Sequence, residues 1–143
     1  MVKRTIKFTD LNGVEKEKDF YFNLSKSELA HMYFTQNDFA SKLREIAQTK
    51  DVSRLMLLFE DIILEAYGEK SEDGMRFIKR RNGVRIADEF VETPAFDELF
   101  FGFVQHPEGL ADFVNSLIPP DMLAKVEKMK ASGDVPEELK GLM

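Results

Sequence analysis

Between Val52 and Ala66 apolar residues recur at the spacing of one helical face: Val52, Leu55, Met56, Phe59, Ile62, Ile63 and Ala66 follow an i, i+3, i+4, i+7 pattern. Asp51 stands where an N-cap belongs, and Gly68 where a helix commonly stops, at C′. Leu57, Leu58 and Leu64 widen the stripe beyond one face, which predicts a central helix with neighbours on two sides. A period of two governs Val2 to Asn23 instead. Val2, Ile6 and Phe8 share one face of a strand, and Val14, Phe20 and Phe22 share one face of the next, the pattern of a β-hairpin. An Asn12-Gly13 turn of two residues would pair even positions with odd ones and misdirect half the apolar side chains. A three-residue loop, Leu11-Asn12-Gly13, pairs Phe8 with Lys16, Arg4 with Phe20 and Val2 with Phe22. That predicts a type I turn with Gly13 in the left-handed bulge position. A lone hairpin is marginal in water, so its apolar face must lie against helices or another chain.

The remaining pattern is helical. Ser25-Lys26-Ser27-Glu28 reads as a capping box that opens a short helix to about Phe34, with Leu29, Met32 and Tyr33 on its apolar side. A second helix is expected from about Asn37, carrying Phe39, Leu43 and Ile46. Another is expected over Val84–Val91, after the turn signal Asn82-Gly83. Thr93-Pro94 pairs a capping residue with a proline at the first helical position, and opens a helix bearing Phe96, Leu99, Phe100 and Phe103, with Phe101 and Val104 to one side. Pro107 starts a helix with Leu110, Phe113, Val114 and Leu117, ended by Pro119-Pro120, and Asp121 to Met129 reads as a last amphipathic helix. The fold class predicted is mainly α (α+β). About six short helices would pack as one domain over residues 1–130 with the hairpin of residues 2–23, and residues 131–143 would form a loosely ordered tail.

Composition narrows the function. The 20 Lys and Arg stand against 26 Asp and Glu for a net charge of −6, without the broad positive field that binds nucleic acid through phosphates. With 0 cysteines there are no disulfides, thiolate metal sites or cysteine nucleophiles. The N-terminus alternates without an apolar run, and no stretch approaches the roughly 18 apolar residues of a membrane span, so neither a signal peptide nor a membrane segment is expected. The 13 Phe with 0 Trp are unusual, and predict either a ring-packed core or rings shown to a partner.

Candidate chemistry is sparse. His31 and His106 lack a second ligand at metal spacing and read as structural or surface residues. Glu60-Asp61, Glu69, Glu72-Asp73, Asp88-Glu89 and Asp97-Glu98 fall where solvated faces and turns put them, and paired carboxylates catalyse only in a shared cleft. Ser71-Glu72-Asp73-Gly74 superficially resembles part of a calcium loop, but the ligand positions do not follow, and Ser71 as a helix cap is simpler. Arg76, Lys79, Arg80, Arg81 and Arg85 form the one basic cluster, read as a solvated face balancing Glu69, Glu72 and Asp73. No residues support a hydrolase or nuclease, and no cofactor is expected. The Phe-rich helix is the remaining candidate. Most of its rings belong in a core, but Phe96, Phe100, Phe101, Phe103 and Val104 cover more arc than one buried stripe needs, so some are expected to face a groove that takes an apolar helix.

The segment YGEKSEDGMRFIK, with Tyr67, Gly68, Lys70, Ser71, Asp73, Gly74, Phe77 and Lys79, is followed by Ala87-Asp88-Glu89-Phe90, Thr93, Ala95-Phe96, Glu98-Leu99-Phe100 and Phe113-Val114-Asn115 before Ile118-Pro119. In this order the pieces resemble the tail assembly chaperones of long-tailed, siphovirus-type phages and prophages of Gram-positive bacteria. The basic, turn-like Arg80 to Arg85 and the extension from Pro119 depart from the pattern. The resemblance implies a non-enzymatic protein that binds the tape measure protein, keeps it soluble and recruits tail tube protein. It implies action in the cytoplasm of the infected or lysogenic host, absence from mature virions, and a possible frameshifted longer form of itself as a partner. The alternative is a structural virion component such as a head–tail connector or tail-end protein.

Overall fold

Alternation in the first segment folds as expected. The computed structural model describes residues 1–36, 41–42, 45, 51–118, 124–125 and 128. Strands β1 (Val2–Thr9) and β2 (Glu15–Phe22) pair antiparallel in the register Val2↔Phe22, Arg4↔Phe20 and Phe8↔Lys16. The loop closes through Gly13 N–H on the Asp10 carbonyl at 3.0 Å, with Gly13 at φ 82°, the left-handed position of a three-residue hairpin. Asp10 completes the turn, its carboxylate accepting from Asn12 and Val14 N–H. Val14 sits at this turn and is exposed rather than sharing the buried face of β2.

Helix α1 (Lys26–Thr35) opens on the reciprocal cap expected from Ser25 and Glu28, at 3.1 and 3.0 Å, and buries Leu29, Met32 and Phe34. Helix α2 (Val52–Ala66) is capped by Asp51, which accepts from Ser53 N–H at 3.0 Å. Its Leu58, Phe59, Ile62 and Ile63 are buried in the centre of the core, each contributing on the order of 1.5–3 kcal/mol. The stripe is nonetheless narrower than its leucines imply, since Leu57 lies exposed.

After α2 the structure departs from expectation. The charged segment from Tyr67 to Lys79 and the start of the helix expected over Val84–Val91 contribute short strands instead. Tyr67 leaves the helix at φ −65°, ψ 138°, and starts β3 (Tyr67–Lys70), which pairs with β2 through Tyr21↔Gly68 and Phe22↔Tyr67. Gly68 is therefore no left-handed helix stop. It is a buried strand residue over which the Phe77 ring lies. Strand β4 (Phe77–Ile78) returns along β3, so the sheet runs β1-β2-β3-β4, antiparallel throughout. Ser71 caps the connecting turn, not a helix: its hydroxyl accepts from Arg76 N–H and donates to Asp73, whose carboxylate accepts from Met75 N–H. A separate small hairpin, β5 (Arg80–Arg81) and β6 (Val84–Arg85), turns at Asn82 (φ 54°) and Gly83 (φ 78°). Two successive positive φ values define the type I′ turn that suits right-twisted strands.

Pairing of Val84 and Arg85 delays the next helix, α3, to Ile86–Phe90. Helix α4 (Pro94–Gln105) starts on Thr93, whose hydroxyl accepts from Phe96 N–H at 3.3 Å, and packs on β1. Helix α5 (Pro107–Leu117) follows after His106 alone and packs on α2 and α4. The fold is α+β, with five helices among the described residues rather than about six, and with four strands in the main sheet rather than the hairpin alone. The helix expected from Asn37, the one from Asp121 and the tail from residue 131 lie wholly or largely outside the described residues.

Candidate partner-binding surface

Helix α4 has the sequence PAFDELFFGFVQ, which buries Ala95, Leu99 and Phe103 and carries four rings. A helix turns about 100° per residue, so Phe96, Phe100 and Phe103 lie close to one line. All three converge on Phe59 of α2, with ring centroids at 5.8, 5.6 and 5.7 Å. Phe103 goes deepest: it is buried, touches Phe113 at 5.6 Å, and carries the Arg4 guanidinium 5.2 Å from its centroid. Phe96 and Phe100 are half-buried, and Val104 likewise. Phe101 falls a full residue off that line and is 58 % exposed, its ring set edge-on to Phe100 at 5.8 Å and 81°. The five candidate residues thus divide. Phe103 belongs to the core, Phe96 and Phe100 bridge core and surface, and Phe101 and Val104 reach the surface.

Next to them lies a shallow groove between α2, α4 and the start of α5. Leu55, Met56, Phe59, Phe100, Phe103, Val104, Pro107 and Leu110 line it, apolar residues throughout. Met56 and Leu57 leave the core face of α2 and are 37 % and 55 % exposed. The sequence carried a sign of them in the leucines that overfill the α2 stripe. It carried none for Pro107, which joins the groove because only His106 separates α4 from α5. Asp97 and Glu98 are exposed in the first turns of α4, so charge flanks the apolar strip.

The segment from Tyr67 to Lys79 is brought together by the sheet, for structural reasons. Tyr67 stacks on Phe90 at 4.1 Å and 6°, and burial, with the Glu69 carboxylate nearby, pushes its phenol up to about 12. Lys70 pairs opposite Phe77, and Gly74 takes φ 74° in the turn. Asp73 is held below the usual carboxylate range by the Ser71 hydroxyl and Met75 N–H. Lys79 reaches back to Glu28 at 2.5 Å and to the Glu65 carbonyl at 2.7 Å, tying the hairpin to α1 and α2.

The basic cluster is largely neutralised in place. Arg81 bonds Glu69, which raises the arginine further, and Arg85 meets Asp88 at 2.9 Å and Glu65 at 3.3 Å. Its partners Glu28, Glu65 and Asp88 are not among Glu69, Glu72 and Asp73, the acids expected to balance it. His31 and His106 are exposed and far from any shared ligand set. Among the described residues no group of three or more His, Asp or Glu could hold a metal ion, and no helix is long and apolar enough to cross a membrane. What this geometry offers is contact: an apolar strip with rings on a rigid support.

Comparison with protein families matches residues 1–140 to a family described as phage tail assembly chaperone. No curated protein and no solved structure matches the chain.

Proposed function

The chain belongs to the phage tail assembly chaperones, and from that premise we propose that it binds the tape measure protein of a long phage tail at the α2–α4–α5 groove. The observation that carries the reading is the continuity of exposed Phe101 with the groove through Phe100, beside Met56, Val104 and Pro107. A tape measure chain is a long apolar helix with no core of its own, and an amphipathic helix in an apolar groove is a recurrent mode of recognition. Contiguous apolar surface rimmed by charge marks such sites on soluble proteins. In this reading Phe101, Phe100 and Val104 touch the partner, while Phe96 and Phe103 hold those rings in place from below. Net charge of −6 keeps the assembly dispersed until tail tube protein replaces the chaperone. The work is done in the host cytoplasm, without chemistry, and the protein leaves before the particle is finished. A longer frameshifted form would carry the same groove.

Co-expression with the tape measure protein of the same tail operon tests this. The tape measure chain should become soluble and co-purify with the native protein, and both effects should be lost with Phe101→Asp, which changes an exposed ring and leaves the fold intact. An insoluble tape measure chain beside a soluble partner refutes the reading. Recovery of the protein in purified particles would replace it with a structural virion role.

A further inference from the structure

Apart from the groove, the sheet offers a second surface. Strand β1 is an edge of the sheet: β2 pairs along its whole length on one side, and no described strand pairs on the other. The parity of the hairpin fixes which groups are left over. Because Asp10 and Val14 bond at the loop, the even positions of β1 exchange hydrogen bonds with β2. The N–H and C=O groups of Lys3, Thr5, Lys7 and Thr9 therefore point outward, and these residues are exposed. Eight residues of open edge is long, and soluble proteins normally guard such an edge. The opposite edge, β4, has only Phe77 and Ile78.

Charge says what would fit. The strand reads VKRTIKFT, with Lys3, Arg4 and Lys7 and no acid. Lys16, Lys79, Arg81 and Arg85 are all ion-paired, yet among the described residues Lys3, Arg4 and Lys7 hold no ion pair. Arg4 is half-buried on the inner face, resting only on the rings of Phe103 and Phe113 at 5.2 and 5.4 Å, and this burial lowers its proton affinity. A strand added outside β1 would meet Arg4 in a non-hydrogen-bonded pair, the register in which side chains approach most closely. Two copies of β1 laid antiparallel would instead bring these cations together, at a cost. The same charges that keep a second copy away attract an acidic strand.

We propose that β1 accepts an extended, acidic segment of a partner protein by strand addition, with carboxylates on one face of the added strand placed against Lys3 and Lys7. The backbone groups of Lys3, Thr5, Lys7 and Thr9 supply the affinity, and the cations select the partner. This site stands apart from the α4 groove, so its failure leaves the groove untouched and the reverse.

The test is NMR of the full chain titrated to millimolar concentration with a capped eight-residue peptide of alternating valine and glutamate. Slowed amide exchange at Lys3, Thr5, Lys7 and Thr9 is expected. A peptide with lysine in place of glutamate should bind about tenfold more weakly, the scale of like for opposite charge across strands. Thr5→Pro removes an outward N–H that β2 does not use, so it should abolish protection while leaving the rest of the spectrum in place. Absent protection, equal binding of the lysine peptide, or unchanged binding by Thr5→Pro each overturns the proposal. So does protection already present in the chain alone: if it grows with concentration, a second copy occupies the edge, and if it vanishes on removal of residues 119–143, the chain's own C-terminal segment does.

Discussion

Replacing Gly68 with alanine should destabilise the protein, against the usual sign for glycine in regular structure. Gly68 has an ordinary strand backbone, so conformation alone would make alanine favourable by about 0.4–1 kcal/mol. A Cβ at this position, however, would stand 2.6 Å from the Ile78 carbonyl oxygen and 2.9 Å from Phe77 Cδ2. The ring could swing away, but the carbonyl belongs to the β3–β4 pairing Glu69↔Ile78 and cannot move without breaking it. Overpacking of this kind costs about 1–3 kcal/mol, so the net loss is about 1–2 kcal/mol and the melting temperature should fall by roughly 3–8 °C for a chain of this size. Thermal and urea unfolding monitored by circular dichroism measure it. Gly102→Ala is the internal control: outside its own stretch of helix nothing lies within 4 Å of a Cβ there, and within α4 alanine should gain about 0.5–1 kcal/mol. If Gly68→Ala is as stable as the native chain, the Ile78 carbonyl does not stand against Gly68, and the account of this segment as the end of the sheet is wrong.

Phe90→Ala should cost about 3–5 kcal/mol in urea unfolding, because Phe90 joins Tyr67, Phe20, Phe22 and Phe96, whereas exposed Phe101→Ala should change stability by under about 0.5 kcal/mol. Ser25→Ala removes one half of the α1 cap and should cost about 1 kcal/mol by the same assay. The depressed Asp73 carboxylate contributes stability that is present above its unfolded pKa and lost as pH falls through the lower folded value. Asp73→Asn should therefore melt below the native chain at pH 7 and converge with it in acid. Tyr67, held up to about 12, should ionise well above the ordinary phenol range in an ultraviolet titration, and Tyr67→Phe should remove that late step. The contribution of Tyr67 to stability is complete below the ordinary phenol pKa and fades as pH rises toward 12.

The hairpin register was readable from sequence because parity leaves little freedom: one choice of loop length keeps Val2, Arg4, Phe20 and Phe22 on one face, and one residue more or less inverts it. Caps at Ser25, Asp51 and Thr93 were readable because each satisfies helix N–H groups locally. The extension of the sheet was not. Strands of four and two residues, YGEK and FI, are too short to show alternation, and the pairing of the first depends on Phe22 and Tyr67 meeting across a long chain separation. Gly68 misled for a physical reason. The same residue type serves a helix stop and a close ring contact, and only the three-dimensional neighbour Phe77 tells them apart. The ring-rich α4 was recognisable as a candidate surface, but the depth of Phe103 and the exposure of Phe101 follow from which turn faces Phe59.

The central claim is that the α2–α4–α5 groove receives an apolar helix of the tape measure protein. Hydrogen exchange of the chain, alone and in complex with that protein, tests it most directly. The account predicts new protection concentrated at residues 55–59 and 100–107, with Phe101→Asp removing it while the native chain's own protected core stays unchanged. Protection that leaves both stretches untouched, in a complex that nevertheless forms, would contradict it.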